Sequence, residues 1–212
     1  MSRVMELWLC LGLVYALLLA WHQPLRGPLT EAEIRAAFGA VSEEARDSKD
    51  PQAQRLLDFF RADDGRPFYM VNLNAVPDST PETDEAARTY AAFMLPRLLL
   101  RASYPVVKTK ILGGLNNSLD PGIDRAEHLI VVRYRSRRDF LNIIATSDFR
   151  SALEHKHTSL DGWYAAPAFA GPVFSIPQFA LIGLMAIGAI GTVLGRRSHT
   201  RLTRQPAQIP NA

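Results

Sequence analysis

Three observations predict that this chain of 212 residues is an α+β domain held between two membrane-spanning helices. Uncharged apolar runs stand near both ends. Between them, period-two segments and helically periodic segments follow one another as β, α, β, β, α, β. Capping and turn residues punctuate almost every junction.

From Leu7 to Trp21 the chain carries no charge, and Val4 and Met5 extend the run past Glu6. At about 1.5 Å per residue a hydrocarbon core of about 30 Å needs roughly 20 residues, so residues 4–21 form a first span. Small residues at both positions of a signal-peptidase site are lacking, since Ala20 is paired with Leu18 and Gly27 with Leu25. Cys10 lies deep inside the apolar run, so the segment is read as an uncleaved anchor. Residues 173–195 form a second uncharged run, ended by Arg196 and Arg197. Its Gly183, Gly188, Gly191 and Gly195 would weaken a soluble helix but are common in membrane helices. The Gly191 to Gly195 spacing would let helices approach, although tolerance of glycine in lipid is the simpler reading.

Orientation follows the basic flanks. Residues 196–212 carry Arg196, Arg197, Arg201 and Arg204 and no acid, which places this tail in the cytoplasm. Two spans then put the N-terminus there too, and the central domain outside the cytoplasm, in the periplasm of a bacterial inner membrane. The net charge of +3 is confined to that tail. Residues 1–21 carry only Arg3 and Glu6, which leaves 19 basic and 20 acidic residues in the interior. A nearly neutral domain does not suit nucleic acid.

Residues 28–64 read as a helical spacer. Thr30 and Glu33 form a capping box opening a helix from Glu31 to Arg46, and Asp50-Pro51 starts a second helix carrying Leu56, Leu57, Phe59 and Phe60. Residues 65–172 read as the α+β domain. Phe68 to Asn74 is the first strand, and Thr80-Pro81 starts a helix to Ala102 that Pro96 should kink. Tyr104 to Leu112 and His128 to Arg135 are strands. Ser136 caps a helix from Arg137 to Thr146, Asp148 starts another through His157, and Trp163 to Phe169 closes the order. This is the split βαβ, ferredoxin-like arrangement.

The stretches GRPFYMVNLN, TYAAFMLPRLLLRA and HLIVVRYRSRRDFLNIIATSDFRSALEHKHTSLDGW resemble the DUF1330-type families of the dimeric α+β barrel superfamily, from about Gly65 to Phe169. The most specific part is Arg135-Ser136-Arg137 with Phe140, then Ser147-Asp148-Phe149 leading into the helix with His155. Arg101-Ala102-Ser103 stands where relatives tend to have a glycine-rich turn. The resemblance implies a homodimer formed by two sheets packing face to face. It leaves open a single axial histidine for haem.

No GxSxG, Walker loop, GxGxxG or HExxH is present. His155 and His157 diverge by about 200° on a helix, so no metal site is expected and no cofactor is predicted. Asn72 and Asn74 share one strand face. On the helix-covered face they would be costly without partners, whereas on the dimer face they would line a cavity. Asn72, Asn74, Tyr90 and His155 are the candidate ligand-pocket residues. Arg133, Arg135, Arg137 and Arg138 read as solvated surface rather than an anion patch. The leading functional expectation is a small-ligand-binding or interaction module at the membrane. The alternative is a cofactor-independent or haem-dependent oxidoreductase or isomerase using Asn72, Tyr90 and His155, and a third is a structural partner in a membrane complex.

Overall fold

The computed structural model describes residues 2–41, 51–112, 125–169 and 175–202. Contacts divide the chain into two units, His22–Gly171 and the two terminal segments. The first unit contains α2 (Glu31–Val41), α3 (Pro51–Arg61), β1 (Phe68–Ala75), α4 (Pro81–Leu99), β2 (Tyr104–Lys110), β3 (His128–Tyr134), α5 (Arg137–Ile144), α6 (Ser147–Ser159) and β4 (Gly162–Ala168). The second contains α7 (Ile176–Leu202) and α1 (Arg3–His22), apart from the latter's last residue. The remainder of the helix expected to reach Arg46, residues 113–124 and residues 203–212 of the tail, Arg204 among them, lie outside the described residues.

All three strand pairings are antiparallel, and the sheet order is β2-β3-β1-β4. That order joins the two βαβ halves of the expected arrangement. Side chains alternate across a strand, so the buried Phe68 assigns the faces. Phe68, Met70, Asn72 and Asn74 point toward the helices together with Ile130, Val132 and Tyr134 of β3. Phe68, Met94, Leu98, Val132, Tyr134 and Ile143 form the sheet–helix core. The Phe68 and Tyr134 rings stack within it, 5.0 Å between centroids and 7° from parallel.

The opposite face carries Tyr69, Val71 and Leu73 of β1, Leu129 and Val131 of β3, Val107 of β2 and Tyr164 of β4. The core clusters of this unit lie against the first face. Val107 and Tyr164 remain 42% and 54% exposed, so the second face is apolar and incompletely covered.

Local signals explain the element boundaries. The Thr30 backbone N–H donates to Glu33 and the Glu33 N–H donates to Thr30 Oγ1, the reciprocal capping box. Thr80 and Thr83 make the same exchange, with a threonine in place of the usual acid or amide. α4 continues through Pro96 because Pro96 and Ala92 both lie on the exposed side, where water satisfies the carbonyl that proline leaves unbonded. The turn that follows it reaches Ala102, whose φ of +49° is the left-handed conformation expected of a glycine. The Ser103 N–H closes on the Leu98 carbonyl and the Ala102 N–H on the Leu99 carbonyl.

α2 and α3 pack against α5 of the α+β domain. Ile34 and Phe60 are fully buried in a second cluster with Leu141 and Ile144 of α5, and the Phe60 and Phe140 rings stack at 5.8 Å. A boundary at residue 65 would cut through this core.

In the other unit, Arg3–His22 and Ile176–Gly195 are long and apolar enough to cross a membrane. Their pairing is antiparallel, with Val4 at Gly195, Leu7 at Gly191 and Trp8 at Gly188. Trp8 Nε1 donates to Thr192 Oγ1 at 3.1 Å. A Cβ on Gly188 would lie 2.4 Å from the Trp8 ring, so this glycine is a packing position and not merely one that lipid tolerates. Gly188→Leu is therefore expected to separate the helices at a cost of about 1–3 kcal/mol. Thermal unfolding of the detergent-solubilised protein, read by Trp8 fluorescence, measures that loss.

Candidate functional site

The helix-covered face resolves the two asparagines. Asn72 satisfies its amide by donating to the Met70 and Ile130 carbonyls at 3.2 and 3.3 Å. Asn74 is buried, and its Oδ1 has no hydrogen-bond partner among the described residues. Such an orphaned acceptor costs about 1–3 kcal/mol unless something outside the chain meets it.

Opposite Asn74 in the β1–β4 register stands Trp163, on the same face. Over the Trp163 ring lies Lys156 of α6, its Nζ 4.7 Å from the centroid and 5.9 Å from that of Tyr90 on α4. His157 meets the other edge of the indole at 4.6 Å. Burial pushes the Lys156 ammonium down to about 8 and the Tyr90 phenol up to about 12. Among the described residues no carboxylate pairs with Lys156. The aromatic faces are its compensation.

The structure thus gathers Asn74, Tyr90, Lys156 and Trp163 at one end of the sheet–helix interface, with Asn72 one step along the strand. His155 lies about 100° around α6 from Lys156, on the side carrying the buried Ala152 and Ser159. It forms no hydrogen bond or ion pair among the described residues. The missed residues were Trp163 and Lys156. The signal for Lys156 was present, because Phe149, Leu153, Lys156 and Leu160 recur at helical spacing.

Arg133, Arg135, Arg137 and Arg138 are not solvated surface. Arg133, 3% exposed, lies on the second sheet face and donates to the carbonyls of Ala102 at 2.8 Å and His22 at 3.2 Å. Its guanidinium also hydrogen-bonds Tyr69 and lies 3.3 Å from His22 Nδ1. Guanidinium has no acceptor, so Nδ1 must accept, and Nε2 carries the hydrogen that reaches the Tyr104 hydroxyl at 3.0 Å. Arg137 donates to the Phe59 carbonyl at 2.7 Å and lies over the Phe59 ring, fastening α3.

Arg135 grips Asp139 through two nitrogens, both at 2.8 Å, and Asp139 also accepts from the Ser136 hydroxyl. That pair raises the Arg135 guanidinium above its ordinary value. Arg138 binds Glu33 and the carbonyls of Gly27 and Pro28. Arg138 and the Thr30 hydrogen bonds hold the Glu33 carboxyl down to about 2.

Arg135 and Arg138 border a cleft of about 500 Å³ lined also by Pro24, Leu25, Arg26, Leu100, Arg101, Ser136, Asp139 and Asn142. Of the four arginines, strand alternation assigns only Arg133 to a face. It carries no information about the carbonyls and acids that distant segments bring to meet them.

A four-stranded antiparallel sheet of order 2-3-1-4, with α4, α5 and α6 against one face, defines a ferredoxin-like α+β domain. Solved structures similar to this chain include the methylated RPA0582 protein, at 18% identity over 60% of this chain and 98% of that one with a TM-score of 0.49. RPA0582 of Rhodopseudomonas palustris, described as of unknown function, is 19% identical over 59% and 97% with a TM-score of 0.46. At3g17210 of Arabidopsis thaliana is 17% identical over 51% and 99% with a TM-score of 0.35. No protein-family model matches the chain, and no curated protein matches it.

Proposed function

We propose that this chain is a membrane-anchored, non-enzymatic binding module of DUF1330-like type, homodimeric through its sheets, with its domain outside the cytoplasm. The observation that carries the reading is the one-sided α+β layer. Its apolar second face, Val71, Leu73, Leu129, Val131 and Val107, is large for a surface that water alone would cover. A second copy presents the same face in return. The ligand position is the end of the sheet–helix interface where Asn74 Oδ1 lacks a donor and Lys156 lacks an acid. A small molecule with a hydrogen-bond donor and a negative or carbonyl oxygen would complete both. No cofactor is invoked.

Cross-linking of the full chain in nanodiscs tests the dimer. Wild-type protein should be captured as a dimer, and Val131→Arg, which puts a charge in the middle of the pairing face, should abolish the capture while leaving helix content unchanged. A wild-type protein captured only as monomer would overturn the dimer. The compartment is tested separately. An alkaline phosphatase fused after residue 212 should be inactive, and activity there would place the tail outside.

A further inference from the structure

Beyond the sheet–helix interface, we propose that the cleft between Arg26, Arg101, Arg135 and Arg138 binds the phosphate or phosphodiester group of an amphiphilic molecule. Four guanidinium groups line it against one carboxylate, Asp139, which Arg135 already occupies. Arg138 is engaged by Glu33. Among the described residues, neither Arg26 nor Arg101 has a carboxylate partner, and Arg101 donates to the Arg97 carbonyl. Two cations thus remain for a ligand, and the planar fork of arginine suits phosphate oxygens.

The cleft is anchored rather than improvised. Asp139 fixes Arg135 from two directions, Ser136 caps α5 and bonds Asp139, and Arg138 is held by two backbone carbonyls. Preorganised donors of this kind lose little freedom when an anion arrives.

The rim is apolar. Leu25 and Leu100 both line the cleft and are 75% and 77% exposed. An inorganic anion has no use for them, whereas a molecule with a hydrocarbon portion beside its phosphate does. Chain connectivity adds a second argument. Arg26 follows His22, the end of the first apolar helix, by four residues. Extended chain spans at most about 3.6 Å per residue, so Arg26 is held within roughly 14 Å of that helix end. Phospholipid headgroups are one source of such a ligand, and a free organic phosphate is another.

The full chain in a neutral maltoside detergent is titrated calorimetrically with dihexanoyl phosphatidylglycerol, dihexanoyl phosphatidylcholine, glycerol phosphate and inorganic phosphate. The expected order places phosphatidylglycerol first. Arg26→Gln combined with Arg101→Gln should weaken every phosphate probe at least tenfold. Leu25→Asn combined with Leu100→Asn should weaken phosphatidylglycerol alone. Folding of each variant is checked by circular dichroism, and both pairs lie away from the buried cores. Glycerol phosphate binding as tightly as phosphatidylglycerol would overturn the amphiphile in favour of a soluble organic phosphate. An arginine pair variant that binds every probe like wild type would overturn the anion site altogether. The dimer and the Lys156 region do not enter this measurement, so its failure leaves that reading to its own test.

Discussion

Phe60→Ala is expected to lower the stability of the α+β unit by about 3–5 kcal/mol, the range for removing a fully buried aromatic ring. Against a typical total of about 5–15 kcal/mol, this is enough to leave much of the protein unfolded at moderate temperature. The size follows from position. Phe60 has no exposed surface, and its ring touches Phe59 at 5.3 Å and Phe140 at 5.8 Å. It joins α2 and α3 to α5 through Ile34, Leu141 and Ile144.

Nothing outside the chain replaces those contacts, so truncation leaves a cavity where three helices meet. Arg55→Ala, on the exposed side of the same helix, should change stability by less than about 0.5 kcal/mol. Denaturant unfolding of the full chain in detergent, followed by circular dichroism, compares the two. Equal midpoints for Phe60→Ala and Arg55→Ala would mean that α3 is only loosely attached. A chain lacking residues 28–64 should fail to accumulate, because Phe140, Leu141 and Ile144 would be exposed together.

The same helices show what a single sequence makes legible. Periodicity and caps located α2, α3 and the order of strands and helices, because those signals are local: the alternation from Phe68 to Asn74, the reciprocal Thr30–Glu33 bonds, the serine before α5. The partner of an apolar stripe is a long-range property. Leu56, Leu57, Phe59 and Phe60 look the same whether they face a membrane, a spacer neighbour or a core. Only the fold brings Phe60 against Phe140.

The arginines follow that rule too. Arg133 alternates onto the second sheet face, yet its burial depends on the Ala102 and His22 carbonyls, 31 and 111 residues away in sequence. Within the candidate pocket, Asn72 and Asn74 were identifiable as polar residues on one strand face. Their placement under the helices needed the register with β3. His155 drew attention by residue type, and it shares with Lys156 the spacing set by the buried Ala152 and Ser159. The glycines of α7 were legible as small residues, but their use became visible only with Trp8, Leu7 and Val4 set against them.

Lys156→Met is expected to stabilise the domain near neutral pH, by about 1–3 kcal/mol, and to do so less as pH rises. The sign follows from the lysine's surroundings. Burial lowers its value from 10.5 to about 8 in the folded protein, whereas the unfolded chain keeps the ordinary value. Below pH 8 both states hold the proton, and folding bears the whole cost of placing an ammonium against Tyr90 and Trp163 with no carboxylate. Between about 8 and 10.5 the unfolded state binds more protons than the folded one, so wild-type stability rises with pH. Each unit of difference is worth about 1.4 kcal/mol, and partial solvent access together with the aromatic faces reduces the full figure.

Denaturant midpoints at pH 7 and pH 9.5 for wild type and Lys156→Met test this directly: the gap between them should shrink with pH, and a constant gap would show that Lys156 titrates as an exposed lysine. Lys156→Arg, which keeps its charge throughout, should show no such recovery. Methionine fills the space of the lysine stem without the desolvated charge, so the substitution separates packing from electrostatics. A domain that becomes more stable when a residue is replaced has kept that residue against its own folding. Perturbed groups of this kind concentrate where ligands are met. If the region around Asn74 is the ligand position, Lys156→Met should gain stability and lose the ligand together.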